Sequence, residues 1–295
     1  MQITTILKSM RPAFLILTFV CVFLGASTAV AEQSSVNLYF LSLALIGALL
    51  AHISVNTLNE YLDYSSGLDL QTIKTPFSGG SGALPDTPDM AGRVFAVAIL
   101  SSIALFLIGS YFVWQQGAGI VPVGIVGLIL IATYTGWINK HPFLCLIAPG
   151  LGFGFLMVAG TQFVLQGYYA QQAWIVASVP FFLVNNLLLL NQYPDIEADK
   201  KVGRNHFPIA FGVKRSNQAY ALFALLTVAV IVSSVVLDYL PMLSLIALIP
   251  MPLALFSLSG AIKYGANIGS HPQYLGANVA VSILTTLLLA TSLVI

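Results

Sequence analysis

Apolar runs of membrane length, one after another, decide what this chain can fold into. Stretches bounded by Gly, Pro, charge or amide clusters lie near 12–31, 38–60, 94–114, 119–138, 143–166, 173–192, 217–237, 239–262 and 274–294. A helix needs about 20 apolar residues to cross hydrocarbon, whereas a barrel strand needs only about 10. Charged residues make up 7% of the 295, against about 25% in soluble domains. The sequence therefore predicts an all-α polytopic membrane bundle of about nine transmembrane helices, read as one domain over 1–295. The lipid bilayer is its surrounding. A net charge of +1 without a basic tail gives no footing for a nucleic-acid partner.

The first run needs a decision of its own. Lys8 and Arg11 precede it and Ala29-Val30-Ala31 closes it, in the manner of a cleavable signal. Its length of about 20 residues is that of a span, so it is read as a retained first helix. Cys21 and Cys145 both lie inside apolar runs. They read as buried small hydrophobes rather than a disulfide or a metal pair.

Lys and Arg set the orientation. With the N-terminus in the cytoplasm, all eleven basic residues fall on the inner side, and the outer loops keep only Glu32 and Asp238 among charged residues. The expected location is the cell (inner) membrane, with the N-terminus and both acidic loops cytoplasmic. Eight of the ten acids crowd into the two inner loops 60–93 and 193–216. Long connections of that kind tend to be functional.

The two acidic clusters open alike. One reads Asn59-Glu60-Tyr61-Leu62-Asp63 and continues to Asp69; the other reads Asn191-Gln192-Tyr193-Pro194-Asp195 and continues to Glu197 and Asp199. In each, an Asn precedes an Asp by four residues, one helical turn. Upstream, His52, Asn56, Asn59 and Asp63 share one face of the second span. A polar stripe in a membrane helix points into the bundle or a wet cavity. For His52 the plainer reading is hydrogen-bond glue between helices. Asn191, Asp195 and Asp199 share a face only if the helix continues through Pro194. Glu197 points elsewhere and reads as solvated.

Carboxylates brought to one place repel unless cations join them. Mg²⁺ takes oxygen ligands, with one or two carboxylates plus substrate phosphates as its usual set. Lys74, Lys140 and Arg204 are the basic residues put forward to neutralise a departing diphosphate; the positive-inside rule alone also places them on this side. The loop Thr75-Pro76-Phe77-Ser78-Gly79-Gly80-Ser81-Gly82 carries hydroxyls suited to covering a phosphate site, without a Walker pattern.

Asn59-x3-Asp63-x5-Asp69 and Asp195-x3-Asp199 resemble the two aspartate-rich motifs of the UbiA superfamily of intramembrane prenyltransferases. Arg11-Pro12 at the start of span one, Tyr134-Thr135-Gly136 at the end of span four and Lys140 just after it agree. The resemblance implies a helical bundle with a central cavity capped by the acidic loops. Asn59, Asp63, Asp69, Asp195 and Asp199 would hold Mg²⁺ on the diphosphate of a polyprenyl substrate, with Asn59, Asn191, Lys74, Lys140 and Arg204 binding that substrate. Asp63, Asp195 and Tyr134 would serve the chemistry, Tyr134 by facing an allylic cation. The motif spacing is most similar to the naphthoate prenyltransferases of menaquinone synthesis, which implies an aromatic quinone precursor such as 1,4-dihydroxy-2-naphthoate as acceptor. 4-Hydroxybenzoate, haem or a lipid glycerol phosphate are alternative acceptors in the superfamily. Glu60, where members often carry Asp, and the segments 74–82 and 204–206 depart from the usual pattern. A transporter or cation channel using the acids as a binding ring is the reading from a different class; it calls for ionisable groups at the membrane midplane and broken spans.

Overall fold

A computed structural model describes residues 2–33, 35–72 and 74–295. Helix α1 (Gln2–Ser9) leads through a short 3-10 turn into α2 (Ile16–Gln33), and α3 (Leu38–Ser65) follows. A connection holding the short α4 (Ala83–Asp86) leads to α5 (Ala91–Gln116) and α6 (Val121–Thr133). Next come α7 (Pro142–Gly150), a nine-residue π-helical segment (Leu151–Ala159) and α8 (Gly160–Gln166), running as one rod. Then follow α9 (Gln171–Asn191), the short α10 (Ile196–Lys201) and α11 (Phe207–Val236). The chain ends with α12 (Met251–Tyr264) and α13 (Pro272–Ser292). The described residues contain no strand.

Among the described residues, seven helical rods are long and apolar enough to cross a membrane, and an eighth arises if the pair Gln2–Phe14 and Ile16–Glu32, bent by 49°, counts as one. By length and composition the expected nine is thus slightly high, although the meeting of Asp63 and Asp199 at Arg204 requires an even number of crossings between the two motifs. The stretch expected at 119–138 is only the shorter apolar helix Ala118–Thr133. Span one also differs. Arg11 adopts a left-handed conformation (φ 52°) and breaks the rod between α1 and α2. In α11, Gly212 interrupts the helix with φ 77°, a conformation glycine adopts without a Cβ penalty.

Helix α9 is the axis of the bundle. Its buried residues include Val176, Leu183, Val184, Asn185 and Leu190, and it packs against α7, the π-segment, α11 and α13. Two glycines allow the close approach on one side. A Cβ on Gly150 would stand 2.1 Å from the Phe181 carbonyl oxygen, and one on Gly154 2.6 Å from that of Ala177. A buried polar ring ties the other side: Asn186 donates to the Tyr220 carbonyl, Tyr220 to the Asn278 side chain, and Asn278 to the Asn186 carbonyl. At the periphery α5 turns Phe106, Leu107 and Trp114 outward, the surface a lipid-facing helix carries. Cys21 and Cys145 are free and buried, as expected.

Candidate active site

Asn59 and Asp63 of the first motif lie within a helix rather than in a loop, and Asp69 follows in the 3-10 turn Leu68–Leu70. α3 runs on to Ser65, so Asn59 and Asp63 stand one turn apart on a rigid rod. Asn59 lines the cavity, and its Oδ1 accepts a hydrogen bond from the Thr135 hydroxyl at 2.9 Å. That bond fixes the turn after α6, which brings Tyr134 to the cavity wall. Asp63 is buried and faces the Arg204 guanidinium.

Asn191 ends α9, residues 192–195 form turns, and Asp199 sits inside α10. Asn191, Asp195 and Asp199 are therefore not on one continuous helix, because the chain turns at Pro194. All three still line the same cavity. Asp199 accepts from Arg204 at 2.9 Å and pairs with His206 Nε2 at 2.9 Å. Arg204 thus bridges a carboxylate of each motif, 63 and 199. Glu197 is exposed and pairs with Lys200, the solvated role expected for it.

The Gly-rich loop 75–82 is clamped between the motifs. Asp195 Oδ2 accepts from the Gly79 backbone N–H at 3.1 Å. Glu60, with no exposed surface, accepts from Ser81 N–H at 3.1 Å, the Ser81 hydroxyl at 2.5 Å and Ala83 N–H at 3.2 Å. Arg11 lies 3.7 Å from the same carboxylate. The departure at position 60 is therefore the peg that holds the loop down. Lys74 donates to the Ser81 carbonyl and braces the loop rather than facing the cavity.

The cavity beneath has a volume of about 510 Å³. Its polar end carries Asn59, Asn191, Asp195, Asp199 and Arg204; its remainder is lined mostly by Leu, Ile, Val, Phe, Ala and Gly side chains of α3, α5, α6 and the π-segment, with His52 and Asn56 of α3 as polar exceptions. The structure does not bring every expected residue to it. Lys140 is exposed on the turn Ile138–Lys140 and does not line the cavity. Asp69 lies beside it, packed against Gly80, and Asp63 meets it only through Arg204. Residues outside the expected site set also line its polar end, among them Arg11, Asn139, Gln192 and His206. Asn139 and Gln192 meet at the Cys145 sulfur, each at 3.3 Å. The Asn139 carbonyl also accepts from Asn205 N–H at 2.8 Å, joining the α6–α7 turn to the second motif. His206 falls in the segment 204–206 that departs from the family pattern, whereas Asn139 carried no signal in the sequence.

Burial raises the Asp69 carboxyl to about 7, with Glu60 and Asp63 adding to the effect and Arg11 and Arg204 opposing it. Burial likewise raises Asp195 to about 7; Asp199 adds, and the Gly79 N–H and the two arginines oppose. Arg204 is held above its ordinary value, because Asp63 and Asp199 outweigh its own desolvation.

Among the described residues no three His, Cys, Asp or Glu groups stand close enough to form a ready-made ion cage; Arg204 occupies the space between Asp63 and Asp199. The donors nevertheless suit a hard divalent cation. Asp69 Oδ2 and Asn191 Oδ1 are fully buried without a hydrogen-bond partner. Buried polar atoms are almost always paired, and hard cations take such oxygens.

These features define the class: a polytopic helical membrane protein in which two acidic segments close one end of an apolar cavity. The chain belongs to the UbiA prenyltransferase family, whose sequence profile matches residues 18–267. It is 32% identical over 212 residues to the 1,4-dihydroxy-2-naphthoate octaprenyltransferase of Bacillus subtilis, a match covering 69% of this chain and 65% of that relative's length. It is 27% identical over 221 residues to the Escherichia coli protein of the same name, covering 73% of this chain and 71% of the relative. A UbiA homologue from Archaeoglobus fulgidus, solved with DMAPP and Mg²⁺, superposes with a TM-score of 0.70 at 15% identity, covering 98% of this chain and 99% of that one. A homologue from Aeropyrum pernix in its apo form gives 0.68 at 14% identity, covering 92% and 95%. The fold is shared across this wide sequence distance.

Proposed function

We propose that the protein transfers a prenyl group from a polyprenyl diphosphate to an aromatic acceptor within the membrane, with 1,4-dihydroxy-2-naphthoate as that acceptor. The observation that carries this reading is the convergence of Asn59, Asn191, Asp195, Asp199 and Arg204 at the polar end of a largely apolar cavity, with Asp63 held against Arg204. Such a cavity suits a ligand with an anionic head and a long hydrocarbon tail. The names of the bacterial relatives support the naphthoate acceptor.

Mg²⁺ fits the residues present; when bound it would neutralise the leaving diphosphate. Asn59, Asp63, Asp69, Asn191, Asp195 and Asp199 are the residues to hold it. Arg204 and Arg11 supply fixed positive charge beside the same oxygens. Lys74 acts through the loop it braces. The C1–O bond of the substrate breaks, and the positive charge left on the allylic carbons faces the Tyr134 ring and the phenylalanines of the wall. The apolar lining keeps water from that charge. The acceptor ring carbon then bonds to C1, and the proton it carried passes to the departed diphosphate. By the Lys and Arg count, the diphosphate end faces the cytoplasm.

One assay tests the reading: purified protein in nanodiscs with MgCl₂, a series of prenyl diphosphates and a panel of acceptors, read by mass spectrometry. A prenylated naphthoate is expected, and Asp63→Ala and Asp195→Ala should abolish it while the protein remains folded. Failure with every pair, or normal turnover by both variants, sinks the reading.

A further inference from the structure

One ring on the cavity wall has no part in the diphosphate site. His52 lies on α3, seven residues before Asn59, which at 1.5 Å per residue puts it about 10 Å deeper. It is buried and lines the cavity. Its Nδ1 stands 2.8 Å from the Thr18 hydroxyl, and its ring meets Phe153 edge-on at 4.8 Å. Beyond it, α3 presents Ala51, Ala48, Gly47 and Ala44 to the same cavity.

This is a placed polar group at the boundary of an apolar tunnel. Thr18 settles one nitrogen, which leaves Nε2 as the ring's remaining polar atom. A prenyl tail offers it nothing, and covering a polar atom with hydrocarbon costs the hydrogen bonds it would make to water. Asn56, one turn above, also lines the cavity; its amide donates to the Met10 carbonyl at 3.0 Å, which leaves Oδ1 for a ligand. His52 and Asn56 therefore offer two polar positions about 6 Å apart along one helix face, with Phe153 and Phe14 as apolar walls. That suits a flat aromatic molecule carrying oxygens on one edge.

We propose that His52, positioned by Thr18, receives an oxygen substituent of the aromatic acceptor and so determines which ring is accepted. The proposal rests on the prenyltransferase reading and assigns a subsite within it. A hydroxyl or carboxylate oxygen bound there turns the acceptor's opposite edge up toward the allylic carbon, beside Asn59.

The test separates the two substrates. Initial rates are measured for wild type, His52→Phe, His52→Gln and Thr18→Val in nanodiscs, varying 1,4-dihydroxy-2-naphthoate at saturating octaprenyl diphosphate and then the reverse. His52→Phe should raise the KM for the naphthoate about tenfold or more and leave that for the diphosphate within about twofold. His52→Gln, which keeps a polar atom, should restore most of the loss, and Thr18→Val should fall between. 1,4-Naphthalenediol, which lacks the carboxylate, identifies the oxygen: if His52 meets the carboxylate, His52→Phe leaves the KM for the diol unchanged. A purely structural role moves both KM values or only the melting temperature, and that outcome, or no change at all, overturns the proposal. Equilibrium binding of the naphthoate to wild type and His52→Phe is measured in parallel. If wild type transfers nothing, the enzymatic reading fails alone; lost binding in the variant still upholds the subsite, and unchanged binding overturns it.

Discussion

Glu60 shows how much one side chain can organise. It sits on the buried face of α3 and holds two backbone N–H groups and a hydroxyl of the loop 75–82, with Arg11 at 3.7 Å. Truncating one partner of a buried charged network leaves the others unmatched. Glu60→Ala is expected to cost about 2–4 kcal/mol and to open the loop to protease, read by thermal melting and limited proteolysis. A variant as stable and as resistant as wild type would show that the loop is held by other contacts. The two raised carboxyls make a second prediction at this scale. Asp69 and Asp195 lie near 7 in the folded protein, well above about 3.9 in an unfolded chain. Between those values the folded state holds more protons than the unfolded one, so stability from these groups falls as pH rises from about 4 to about 7. A cation bound by the same oxygens competes with the protons. The rise in melting temperature on adding MgCl₂ should be small near pH 5.5 and grow through about pH 8. A pH-independent rise would separate these carboxyls from the ion.

The loop 75–82 behaves as an element in its own right. Its Ser, Gly and Pro content reads as flexible, yet it is pegged by Glu60 and Asp195, which lie far away in sequence. Gly80 has φ 74°, and a Cβ there would stand 2.6 Å from Asp69 Oδ1. Gly80→Ala should therefore lift the loop off Asp69 and lower transfer by more than about tenfold with helix content unchanged in circular dichroism. Full activity would show that the loop does not cover the site. The spans were legible because each is an apolar run of crossing length. Their ends were less so, because α3 continues past the apolar stretch and carries Asp63 as a helical residue. The π-segment 151–159 left no mark in the periodicity. It lies where Gly150 and Gly154 press against α9, and those contacts come from the other half of the bundle.

At the scale of the molecule, the Arg204 bridge joins α3 to the connection between α9 and α11 through Asp63 and Asp199. The matching Asn-x3-Asp spacing pointed to one shared site, but no spacing shows that a guanidinium sits between its halves. The Lys and Arg distribution adds a prediction about the whole protein: both motifs face the cytoplasm. Cys21 and Cys145 are buried, so single cysteines placed elsewhere report cleanly. Ser66 and Lys201 are exposed beside the two motifs, and Asp238 is exposed between α11 and α12. Three variants, Ser66→Cys, Lys201→Cys and Asp238→Cys, are treated in intact cells with a membrane-impermeant maleimide and again after permeabilisation. Position 238 should label in intact cells, and 66 and 201 only after permeabilisation. Labelling of 66 and 201 from outside would invert the orientation. Labelling of one from each side would contradict the Arg204 bridge itself, because a single guanidinium reaches carboxylates only on one face of the membrane.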